Sequence, residues 1–157
     1  GYRASTNYLG ITGNKGGGET QEKYKEDGMV PDTTVSVELR SVTDGTSHTL
    51  LVGERPIVDF FDSNGSFNGD YGWWAAGSGS DWPPCGRGDN ILDSSQGLFA
   101  GDPEAHADVF HWWSYHPGGA HFVFVDGSAR MLAYDIDYSA LLAHSSRHGA
   151  DSFDPPY

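Results

Sequence analysis

The chain has 157 residues, enough for one domain whose core needs no covalent staple. Five Trp, eight Tyr and eight Phe exclude a disordered polymer, while 22 Gly and eight Pro favour turns over long helices. Nine basic residues against 22 acidic ones give a formal charge of −13, which repels a phosphate backbone and sets nucleic acid aside as a partner.

In chain order, NYLGIT at 7–12 predicts a short strand stopped by Gly13. Residues 14–28 are polar and glycine-rich and read as an exposed loop. VSVEL at 35–39 alternates with a period of two and predicts a second strand. Asp44-Gly45 is a turn signal, after which Thr49–Val52 begins a buried strand. DFFDSNGSFNGD at 59–70 forms a second polar loop, and GWWAAGSG at 72–79 a further strand. Residues 81–108 carry PP, GRG, DN and GDPE, the chemistry of a long surface excursion.

HFVFV at 121–125 and SARML at 128–132 flank Asp126-Gly127. This predicts a hairpin closed by a two-residue type I′ turn, which gives Asp126 a sufficient structural role. DIDYSALLAHSSRHG then predicts a short helix. Asp135 or Asp137 caps it, Leu141 and Leu142 supply its apolar face, Arg147 and His148 suit its negative pole, and Gly149 closes it. No stretch approaches the roughly 20 apolar residues of a membrane helix. Cys85 is the single cysteine, so neither an intrachain disulfide nor a thiolate zinc cluster can form.

His116 and Asp126 are the first candidates for acid–base chemistry. A strand of five residues, at roughly 3.3 Å each, holds them about 16 Å apart, so they are not expected to meet. His116 is expected instead to order the turn at Pro117-Gly118-Gly119 or to pack on the neighbouring Trp residues. His106, His111, His116 and His121 recur every five residues. That spacing flips faces in a strand and turns side chains about 140° apart in a helix, so no shared metal is expected. Gly77-Ser78-Gly79-Ser80 lacks the nucleophile-elbow pattern, and the glycines at 16–18 lack the lysine of a phosphate loop.

Calcium is the more credible ion. Asp62, Asn64 and Asp70, with Asp59 and Asn68, offer hard oxygens on a glycine-broken loop, though a solvated acidic loop is the weightier reading. Asp81, Asp89, Asn90, Asp93 and Asp102 make a looser second set. Trp73-Trp74 and Trp112-Trp113 are adjacent pairs. In a strand one indole of each pair faces inward and the other outward, where it offers a surface for a sugar or a neighbouring subunit.

SVTDGTSHTLLVGERP, YGWWAAGSG and HPGGAHFVFVDGSARML, followed by DIDYSALLAHSSRHG, together resemble the DUF1559 proteins, pilin-like proteins abundant in planctomycete bacteria. The family hallmark is a histidine, nine residues and then Asp-Gly, matched here by His116 and Asp126-Gly127. Gly118 and Gly119 lie inside that stretch, and Asp44-Gly45 opens the second shared motif. His48 stands where the family usually has asparagine.

The resemblance implies an α+β, mostly β fold: the antiparallel sheet of a pilin-like head domain, with long loops and a short C-terminal helix. It also implies a leader and long apolar helix ahead of the head. Because the chain starts at Gly1, it reads as the head domain alone, one unit over residues 1–157. The expected function is that of a non-catalytic structural subunit in an extracellular or cell-surface assembly, possible also in a periplasm. Its partners would be like subunits, and its membrane link only the preceding helix. The competing reading is a secreted carbohydrate- or ligand-binding module using the Trp pairs.

Overall fold

The computed structural model describes residues 6–14, 27–31, 36–57 and 90–148. They build one five-stranded sheet, one α-helix and two short 3-10 helices. The strands are β1 (Tyr8–Ile11), β2 (Leu50–Glu54), β3 (Ile91–Leu92), β4 (Gly119–Phe124) and β5 (Ala129–Ala133), in the spatial order β3-β1-β2-β4-β5. The helix is α1 (Tyr138–Ser145). The architecture is therefore α+β and mostly β, as expected. The sheet is mixed, not purely antiparallel, because β3 runs parallel to β1. The segment after residue 90, read from sequence as loop, adds β3 to that edge. Gly10 and Thr12 donate to the carbonyls of Asn90 and Leu92 at 2.9 and 3.1 Å.

Alternation decides which side chains enter the core. In β4, Ala120, Phe122 and Phe124 are buried, while His121 and Val123 face the other side. The buried set packs with Leu9, Ile11, Leu50, Leu92, Trp112 and Leu141 into the main cluster. Each such side chain contributes about 1.5–3 kcal/mol when fully removed from water. β2 pairs with β4 through Gly53↔Phe122 and Val52↔Val123, then shifts register before Leu50↔Phe124.

The 121–132 hairpin forms, but on a different turn. The register Val123↔Ala129, with Phe124 N–H on the Ser128 carbonyl at 2.9 Å, leaves Val125, Asp126 and Gly127 as a three-residue loop. Gly127 donates to the Phe124 carbonyl at 2.9 Å and sits at φ +83°, the pattern of a tight turn followed by a left-handed glycine. Asp126 contributes through its side chain: Oδ1 accepts the Ser128 N–H at 2.8 Å. The two-residue reading assigned the bend to backbone freedom at both residues, whereas glycine supplies the positive φ and aspartate the acceptor.

Asp137 is the residue that caps α1, accepting from the N–H groups of Ser139 and Ala140. Leu141 is buried beneath the helix. Arg147 does not serve the helix end. Its guanidinium donates to the Gly28 carbonyl at 2.5 Å, and its backbone N–H to the Asp27 carbonyl at 2.7 Å. The expected strand at 35–39 is absent from the described part of that segment: residues 36–38 join no strand, and Leu39–Ser41 is a 3-10 turn. Leu39 is 68% exposed, so its alternation has no buried face to serve. The expected strand at 72–79 lies outside the described residues.

Candidate functional site

The β2–β4 register that seats Gly53 against Phe122 places Glu54 opposite His121. Glu54 is 8% exposed, with its carboxylate under the start of β4. Its Oε2 accepts the backbone N–H of His121 at 2.9 Å and lies 3.2 Å from the same residue's Nδ1. Its Oε1 lies 3.5 Å from His116 Nε2. The two imidazoles meet edge to face, 4.6 Å between centroids at 87°. Both are partly open to solvent, with side chains 51% exposed for His116 and 42% for His121.

His116 reaches this position because the chain turns between the two histidines. Ser114 organises the approach: its Oγ accepts the His116 N–H at 2.9 Å and donates to the Gly119 carbonyl at 2.7 Å. Gly118, at φ +90°, adopts a backbone that side-chain-bearing residues resist. Its carbonyl receives the Tyr134 N–H at 2.9 Å. The expectation that a spacing of five keeps histidines apart assumed one regular element across the interval. The turn breaks that assumption, and His116 and His121 share one carboxylate. His116 thus does more than order the turn, and it is Trp113 that packs on Tyr115, at 5.4 Å. A histidine pair straddling Pro-Gly-Gly was the signal in the sequence; nothing local pointed to Glu54.

His116 and Asp126 do not pair, as expected. Asp126 sits at the far end of β4, where Ser128, through its nearby hydroxyl and then its backbone N–H, holds the carboxyl below the usual carboxylate range. Arg130 approaches it at 3.9 Å. This turn is tied to the loop that follows Asp44-Gly45: Val125 donates to the Thr49 carbonyl at 2.9 Å and Asp126 to the Thr46 carbonyl at 3.0 Å. Within that loop the Gly45 carbonyl accepts from the His48 N–H at 3.0 Å and the Thr49 hydroxyl at 3.1 Å. At His48 it is the backbone carbonyl that bonds, accepting from His144 Nδ1 at 2.7 Å. His111, the other described ring of the histidine series, is buried between Asp108 Oδ1 at 3.0 Å and the Trp112 carbonyl at 3.1 Å.

The outward indole expected of Trp112-Trp113 is absent, since both are enclosed, at 0% and 1% exposure. They do not lie in a strand. Trp112 enters the main cluster with its Nε1 on Ser94 Oγ at 2.9 Å, while Trp113 enters a second cluster with Val109 and donates to the Asp108 carbonyl at 2.8 Å. Trp73, Trp74, and the calcium candidates Asp62, Asn64 and Asp70 lie outside the described residues. Of the looser acidic set, Asp93 is buried with Oδ1 on the Ser95 N–H at 2.7 Å, and Asp102 accepts from Glu104 N–H at 2.9 Å.

Among the described residues, the clustered donors of Glu54, His116 and His121 make the one group of three or more metal-capable side chains. Chemically it can hold hydrogen bonds between a buried carboxylate and two imidazoles, or a cation between them. No described helix is long and apolar enough to cross a membrane. No curated protein and no solved structure matches the chain. A family model described as a protein of unknown function, DUF1559, matches residues 1–139. That match spans every described strand and reaches the start of α1, and by it the chain belongs to the DUF1559 family.

Proposed function

We propose that this domain is a non-catalytic structural subunit of a pilin-like extracellular assembly. The observation that carries the reading is the joint between the two Asp-Gly segments, where Val125 and Asp126 bond to the carbonyls of Thr49 and Thr46. Asp126 and Gly127 act on backbone shape: the carboxylate accepts the Ser128 N–H at 2.8 Å, and the glycine supplies φ +83°. Support also comes from the surface. Edge strand β5 presents Met131, 51% exposed, and Tyr138 and Phe99 stand half-exposed around Gly97. Contacts of this kind suit packing between like subunits at a cell surface, with a preceding apolar helix as the membrane link. The competing binding-module reading loses Trp112 and Trp113, which are enclosed.

Immunogold electron microscopy of the source cells with antibody against this domain tests the proposal. Label along filaments or a regular surface array is the expected result. Label confined to dispersed single molecules, or to the cell interior, overturns it.

A further inference from the structure

We propose that Glu54, His116 and His121 bind a divalent transition-metal ion of the zinc class. The three donor atoms lie within 4.8 Å of one another. Tetrahedral ligands at roughly 2.1 Å from a zinc ion stand about 3.4 Å apart. The carboxylate reaches each imidazole through a different oxygen, Oε1 at 3.5 Å from His116 Nε2 and Oε2 at 3.2 Å from His121 Nδ1, and each separation is close to that value before any ion draws the groups in. Two imidazoles and one carboxylate select zinc, cobalt, nickel or copper over calcium and magnesium, which prefer all-oxygen shells.

The surroundings suit the same chemistry. The His121 backbone N–H bonds to Glu54 Oε2 and orients the carboxylate, a role that outer-shell partners perform at metal sites. Glu54 is buried, while both imidazoles are partly open, so the remaining coordination position faces solvent and a water completes the set. The ion would staple the turn before β4 to strand β2.

The test is calorimetric titration of Zn²⁺ into the full chain after chelator treatment, with Co²⁺ absorption as a second probe of imidazole ligation. About one equivalent should bind, and affinity should fall on acidification because protons compete for imidazole. His116→Ala and His121→Ala should each weaken binding by at least the ~10–100-fold that loss of an outer-shell partner costs. His148→Ala should leave it unchanged. Glu54 is buried and its replacement risks the fold, so the decision rests on the two histidine variants, each checked for an unchanged circular dichroism spectrum. Absence of stoichiometric binding, binding that survives both substitutions, or displacement of Zn²⁺ by equimolar Ca²⁺ would each overturn the proposal and leave a hydrogen-bonded triad.

Discussion

Glu54 accepts the backbone N–H of His121 at 2.9 Å, so a side chain, and not a strand carbonyl, receives the amide at this point of the β2–β4 pair. Truncation would leave that amide without its acceptor. Glu54→Ala should therefore cost about 2 kcal/mol in urea denaturation with chelator present, and Glu54→Gln less, since an amide oxygen can still accept. Equal stability of wild type and Glu54→Ala would show that the bond contributes nothing.

Two glycines separate two physical costs. Gly127 sits at φ +83° with nothing within 4 Å of a built Cβ, so Gly127→Ala should cost only backbone strain, about 1 kcal/mol. Gly53 has a Cβ position 2.5 Å from Phe122 Cε1 and 2.8 Å from the Trp112 ring. Gly53→Ala should cost more, about 3 kcal/mol, through overpacking. Denaturant midpoints of the two variants should rank in that order, and the reverse ranking would contradict the turn geometry.

Asp137 Oδ1 accepts from Ser139 N–H at 2.8 Å and Ala140 N–H at 3.3 Å. Ser139 and Ala140 hold its carboxyl below the usual range, so its contribution is present above the unfolded pKa and is lost as pH falls through the folded one. Asp137→Ala should lower the melting temperature at neutral pH, with Asp137→Asn retaining most of it because the amide oxygen also caps. A melting temperature unmoved by Asp137→Ala would mean the cap is dispensable.

Asp93 should act in the opposite direction. Burial, opposed by bonds from Ser95 and aided by nearby Asp27, raises its pKa above 3.8. The folded state then binds the proton more readily, so stability declines as pH rises from the unfolded value through the folded one. Asp93→Asn should be more stable than wild type at neutral pH, the gain vanishing below about pH 4. A constant difference across the acid range would dismiss this account.

His144 supplies a third slope. Burial, partly offset by its bond to the His48 carbonyl and reinforced by the charges of His48 and Arg130, lowers its pKa from 6.5. Stability is intact above 6.5 and should fall as pH drops from there toward the folded pKa. A pH series of melting temperatures should lose that portion of its slope in His144→Asn.

Local signals in the sequence determined what depends on neighbours along the chain. The alternation of HFVFV, the glycine after Asp126, and an aspartate at 135 or 137 specify a hairpin and a capped helix, because turn and cap chemistry act over a few residues; the structure chose Asp137 as the cap. Alternation alone did not make a strand of VSVEL, since a strand also needs a partner and a face to bury. The tertiary structure decided the parallel β1–β3 pair, the enclosure of both Trp112 and Trp113, and the meeting of Glu54 with His116 and His121. Those outcomes depend on which strands adjoin and in what register. Pairing between residues 67 positions apart is set by the packing of the whole core, not by any local pattern.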